Sequence, residues 1–104
     1  MEQFSKDTRF KDVIDGLNFF AKASGKKGEF ILHKLIESSS FGALKTIKFN
    51  LFYISNGSTN IVLTVQYKSM ITKDNYQDNI KDIYIRFLND LFQFTNSKEF
   101  AELI

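Results

Sequence analysis

The sequence predicts an α+β fold: a two-layer sandwich in the order helix, three-stranded antiparallel meander, long helix, short C-terminal helix. Three observations lead there. Apolar residues recur in steps of three and four over residues 8–23 and 74–94, the period of an amphipathic helix. Between them, residues 43–54 and 60–70 alternate apolar and polar, as strands with one buried and one wet face do. The chain has 104 residues, 43% of them hydrophobic and 12 of them Phe, which suits one domain (1–104) around one core without disulfide or metal staples. Two amphipathic helices and a sheet with one apolar face bury each other most economically as two layers.

The first helix runs from Asp7 or Thr8, either of which suits an N-cap, to about Ala23. Its buried stripe is Phe10, Val13, Ile14, Leu17 and Phe20 or Ala21, and the Gly and Lys of "SGKKG" (24–28) stop it. Gly16 sits mid-helix at a cost of about 1 kcal/mol relative to Ala, for which close packing is the expected reason. "EFILHKLIE" (29–37) fits either period, since Ile31, Leu32, Leu35 and Ile36 would share a helix face. Its shortness, between Gly28 and "SSSFG" (38–42), favours a strand.

In 43–54, Ile47, Phe49, Leu51 and Tyr53 are apolar while Thr46, Lys48 and Asn50 are polar. In 60–70, Ile61, Leu63, Val65 and Tyr67 alternate with Val62, Thr64, Gln66 and Lys68. Opposed residues share a face, so odd residues must oppose odd residues. A two-residue Asn56-Gly57 turn would pair Ser55 with Ser58 and Phe49 with Thr64, which breaks the rule. A three-residue loop of Ser55, Asn56 and Gly57 restores it, pairing Leu51 with Ile61, Phe49 with Leu63 and Ile47 with Val65. That loop also puts Gly57 where a bulge needs positive φ, so it is the expected hairpin. Asn56-Gly57-Ser58 matches the glycosylation pattern too, but no secretion signal accompanies it and a turn is the preferred reading.

The second helix, Asp74 to Phe94, carries Tyr76, Ile80, Ile83, Tyr84, Phe87, Leu88 and Leu91 as its stripe, and Asp74 with Gln77 resembles a capping box. "TNSKEFAELI" reads as a break and a short helix capped by Asn96, with Glu99 three residues on. Phe100, Leu103 and Ile104 are expected to dock it.

Few residues invite chemistry. There is no cysteine, hence no disulfide, thiol nucleophile or thiolate metal site. The opening "MEQFSKDTRF" has no apolar core of a leader, and no apolar run reaches the ~20 residues of a membrane span, so a cytoplasmic location is expected. The abundance of Lys, Asn, Ile and Phe fits an AT-rich, bacterial genome. A formal charge of +2 is too near balance to announce a polyanion, and nucleic acid is disfavoured as a partner.

His33, the single histidine, has no local dyad partner, and a surface or structural role is preferred. Asp74, Asp78 and Asp82 line one helix face but are spread along its axis, with Asp82 set to pair with Arg86. Asp12 and Asp15 face away from the apolar stripe, toward water, where general acid work is not expected. No phosphate-loop, nucleophile-elbow or zinc-helix motif is present. No enzymatic activity, cofactor or metal is expected.

The outer sheet face is the candidate site. Lys48 and Lys68 lie there among Thr46, Asn50, Thr64 and Gln66, and Phe52, Ile54, Val62 and Met70 share its parity. Phe52, Ile54, Val62, Lys48 and Lys68 are the expected contact residues. The partner expected is another protein or a second copy of this chain. A small apolar ligand held between sheet and helices is the alternative, and weak single-stranded nucleic-acid binding the second. Lys22, Lys26 and Lys27 at the first helix's end are sufficiently explained by the helix dipole.

Overall fold

A computed structural model describes residues 8–38 and 44–103. Helix α1 (Arg9–Ala23) is followed by strands β1 (Glu29–Ser38), β2 (Leu44–Ser55) and β3 (Ser58–Met70), then by helices α2 (Tyr76–Thr95) and α3 (Lys98–Ala101). The sheet is an antiparallel meander in the order β1-β2-β3. No helix among the described residues is long and apolar enough to cross a membrane. The predicted order of elements is the observed one, and residues 29–37 are strand.

Both long helices lie on one face of the sheet. Phe10 of α1, Phe49 of β2 and Phe87 of α2 meet at the centre, with ring centroids 5.1 Å (Phe10–Phe49), 4.7 Å (Phe49–Phe87) and 5.8 Å (Phe10–Phe87) apart. Such offset and tilted contacts add to the burial of the rings themselves. Ile47, Leu51 and Tyr53 flank Phe49 on the same face of β2 and are buried with it. A second ring cluster fixes the C-terminus. Phe100 of α3 stacks on Phe30 of β1 at 6.1 Å and meets Phe94 edge-on at 5.6 Å. Phe100 is buried and Leu103 half-buried, as expected; Ile104 lies outside the described residues. Because α3 docks on the helix side, no helix among the described residues lies on the outer face of the sheet.

The hairpin differs from expectation in an instructive way. Asn56 and Gly57 form a two-residue turn with Ser55 opposite Ser58. Both central residues have positive φ, 53° and 78°, which is the turn whose twist matches the strands. Parity is restored further along, because Phe52 opposes Ile61 but Leu51 opposes Leu63. Val62 is the extra residue of a β-bulge. Beyond it Phe49 faces Val65 and Ile47 faces Tyr67, so core-facing residues meet core-facing residues by pairings other than the predicted ones. The rule on parity was sound, and the extra residue sits in the strand instead of the loop.

The helix starts also shift. Thr8 caps α1 without a side-chain hydrogen bond; Asp7, the other predicted cap, lies outside the described residues. Asn75, not Asp74, precedes α2, where Thr72 N–H donates to Asn75 Oδ1 at 2.6 Å and Asn75 N–H to Thr72 Oγ1 at 3.3 Å. Ser97, not Asn96, caps α3, its Oγ accepting from Phe100 N–H at 3.2 Å. Of the pair Phe20 or Ala21, Ala21 is the buried residue, and Leu88 is partly exposed.

Two glycines separate packing from its absence. A Cβ at Gly16 would meet nothing within 4 Å, so close packing is not the reason for this residue. A Cβ at Gly28 would run into the Tyr53 ring and come within 2.6 Å of Ile54 O, and Gly28 N–H donates to Tyr53 Oη at 2.8 Å. Gly16→Ala is therefore expected to stabilise the fold by about 0.5–1 kcal/mol and Gly28→Ala to destabilise it by about 1–3 kcal/mol. Urea denaturation of both variants checks the opposite signs.

Candidate interaction face

The hydrogen-bonded ladders fix which side chains share the open face. β1 opposes β2 as Glu29–Ile54, Ile31–Phe52, His33–Asn50, Leu35–Lys48 and Glu37–Thr46. β2 opposes β3 as Ile54–Thr59, Phe52–Ile61, Asn50–Thr64, Lys48–Gln66 and Thr46–Lys68. Each β2 residue thus centres a row of three. One row, Ile31–Phe52–Ile61, is wholly apolar, and Ile61 is 56% exposed. The Phe52 ring lies 6.4 Å from that of His33, and Thr64 Oγ1 donates to Asn50 Oδ1 at 2.9 Å in the next row.

The five predicted contact residues divide. Phe52, Ile54, Lys48 and Lys68 lie in the rows of the outer face. Val62 does not: the bulge sets it beside Leu63 opposite Leu51, and it packs against the core. Ile61 takes the outward place that parity alone gave to Val62. Ile31 and Leu35, on β1, complete the apolar part of the face and are not among the five predicted contact residues. Their signal was present as odd-numbered apolar residues in 29–37, but the helix–strand ambiguity of that segment hid which face they take.

Charge on this face is balanced. Glu29 and Glu37 stand on β1, Lys48 on β2 and Lys68 on β3. Neither Glu37 nor Lys68 is in an ion pair among the described residues; the pairs between described residues include Lys11–Asp15 at 2.9 Å, Arg86–Asp82 at 3.1 Å and Lys98–Glu102 at 3.7 Å, each spanning one helical turn. The sheet edges are partly occupied. Asn18 of α1 donates to Phe30 O at 3.0 Å and accepts from Phe30 N–H at 2.6 Å, standing in for a neighbouring strand at the β1 edge.

On the opposite side of the molecule a groove of about 380 Å³ runs between α1 and α2, lined by Val13, Leu17, Phe20, Leu88, Leu91 and Phe92 among others. Phe92 in its lining is 69% exposed, and Phe19 of α1 is 79% exposed. The sequence carried this signal as well: Ile85, Leu88 and Phe92 form a second stripe in steps of three and four, offset from the buried one.

No family model matches the chain, nor does any curated protein or solved structure.

The inner side of β3 is tied to α2 by polar contacts. Tyr67 Oη donates to an Asp90 carboxylate oxygen, and Ser69 Oγ donates to Asn79 Oδ1 at 2.5 Å. Burial foremost, then the bond to Asp90, pushes the Tyr67 hydroxyl well above the ordinary tyrosine value. A phenol whose pKa is raised on folding stabilises the fold fully below its unfolded value, near 10, and loses that contribution as pH rises past it. Stability is therefore expected to fall above about pH 10. Tyr67→Phe should cost roughly 1–3 kcal/mol at neutral pH and flatten the alkaline decline, read by denaturation across that range.

Proposed function

We propose that this chain is a protein-interaction module that binds through the outer face of its sheet. The observation that carries the reading is the row Ile31–Phe52–Ile61, an apolar band across all three strands of a face that no other described element covers. Large apolar side chains held in register on a rigid sheet form a surface that gains by being covered. Polar rows on one side, with Glu37 and Lys68 at the two ends of one of them, supply orientation, as the polar rim of a non-obligate interface does.

Two carboxylates and two ammonium groups on this face favour a protein over a polyanion, although His33 beside Phe52 gives the face two rings on which bases could stack. The Phe10, Phe49 and Phe87 rings occupy the middle of the layer that an apolar ligand would need, which favours binding at the surface over carriage inside. The groove between α1 and α2 is more apolar, but its lining residues carry no charge to orient a partner. The proposal is of binding and not catalysis: the single histidine lies exposed against Phe52.

Phe52→Asp tests the reading. Association of the purified chain, with itself or with a protein from its native host, is expected to fall at least about tenfold while the melting temperature changes by only a few degrees. Undiminished association by the folded variant would contradict the proposal.

A further inference from the structure

We propose that the sheet faces of two copies pack on each other about a two-fold axis running along β2, so that the partner is a second copy of this chain. This deepens the reading above and rests on it. The argument comes from the rows. A two-fold axis along the central strand lays β1 of one copy over β3 of the other and keeps every row opposite itself. Ile31 then covers the partner's Ile61, and Phe52 meets the partner's Phe52. In the row Glu37–Thr46–Lys68, an acid and a base stand at the two ends. The same operation therefore places Glu37 against the partner's Lys68, and does so twice. Both groups lack an ion-pair partner among the described residues of their own chain.

Other symmetric arrangements fare worse. An in-plane axis across the strands sets Phe52 against Lys48 when it passes through the Asn50 row, and when it passes through the Phe52 row it carries the Glu37–Thr46–Lys68 row past the hairpin turn, where nothing opposes it. Pairing through the β1 edge meets Asn18, which already holds the Phe30 backbone. Pairing through the β3 edge meets the bulge at Val62, which disrupts a ladder. Stacked sheets with strands within about 30° of each other are the usual aligned geometry, and the axis along β2 allows it.

Size sets the strength. Three strands about 4.8 Å apart and some ten residues long present roughly 500 Å² of plane. That is below the roughly 800 Å² per partner of a standard interface, so the dimer is a weak one. Lys48, beside the axis, meets the partner's Lys48 and is the one like-charge approach in the interface.

Sedimentation equilibrium on the full chain tests the geometry. The wild type is expected to dimerise. Glu37→Lys and Lys68→Glu, each acting twice in a symmetric dimer, should each weaken self-association about tenfold. Mixed in equal amounts, the two variants should associate again, because the Lys68→Glu copy offers two acids where the Glu37→Lys copy offers two bases. Lys48→Gln should tighten the dimer, and thermal melts confirm that each variant folds. A wild type that stays monomeric at every concentration overturns the inference, as does a dimer indifferent to both charge reversals or a mixture that fails to recover. A monomer whose binding to another protein is still lost in Phe52→Asp overturns only the symmetric pairing and leaves the interaction module standing.

Discussion

The hairpin between β2 and β3 has to satisfy two demands that conflict. A two-residue Asn56-Gly57 turn gives the strands the twist they need, with both φ values positive. The alternation of both strands requires buried residues to face buried residues, and a two-residue turn sets them one position out of step. The single extra residue, Val62, resolves the conflict. Everything on either side of the sheet depends on it. On the inner face it brings Leu63, Val65 and Tyr67 opposite Leu51, Phe49 and Ile47, which completes the floor under Phe10 and Phe87. On the outer face it turns Ile61 outward to extend the Ile31–Phe52 pair into a row of three.

Much of this fold was legible because its periods are clean. Steps of three and four marked both long helices, and strict alternation marked β2 and β3. The ends were less legible, for physical reasons. Asp74, Asn75, Asn96 and Ser97 are all good capping residues, and which of them caps depends on the angle at which the chain leaves the preceding element. Val62 was hidden because a β-branched apolar residue is at home on either face of a strand; only the ladder on both sides reveals that two residues oppose one. Gly16 carried no legible reason, and none emerges from packing within the chain.

The candidate site was legible in part. Lys48, Phe52 and Ile54 follow from parity in β2, which has no irregularity, and Lys68 from the alternation of β3 beyond its bulge. Val62 was misplaced and Ile61 missed for the same cause, since parity carried past a bulge reverses. The rows, which give the face its apolar band and its opposed charges, cannot be read from one strand at a time. They are a property of pairing, and they turn scattered surface residues into an ordered surface.

The account rests on Val62 being the one residue that is out of step, and deleting it is the most direct test. With the two-residue turn and the bulge as described, removal of Val62 leaves a regular hairpin that still pairs Leu51 with Leu63 and Phe49 with Val65. The shortened chain is then expected to fold cooperatively, losing about 1–2 kcal/mol with the Val62 side chain, and to keep side-chain NOEs from Leu51 to Leu63 and from the Phe52 ring to Ile61. If the hairpin instead carried its extra residue in a three-residue loop, the deletion would set Phe49 against Thr64 and the chain would lose its fold or those contacts, and that result would contradict the account.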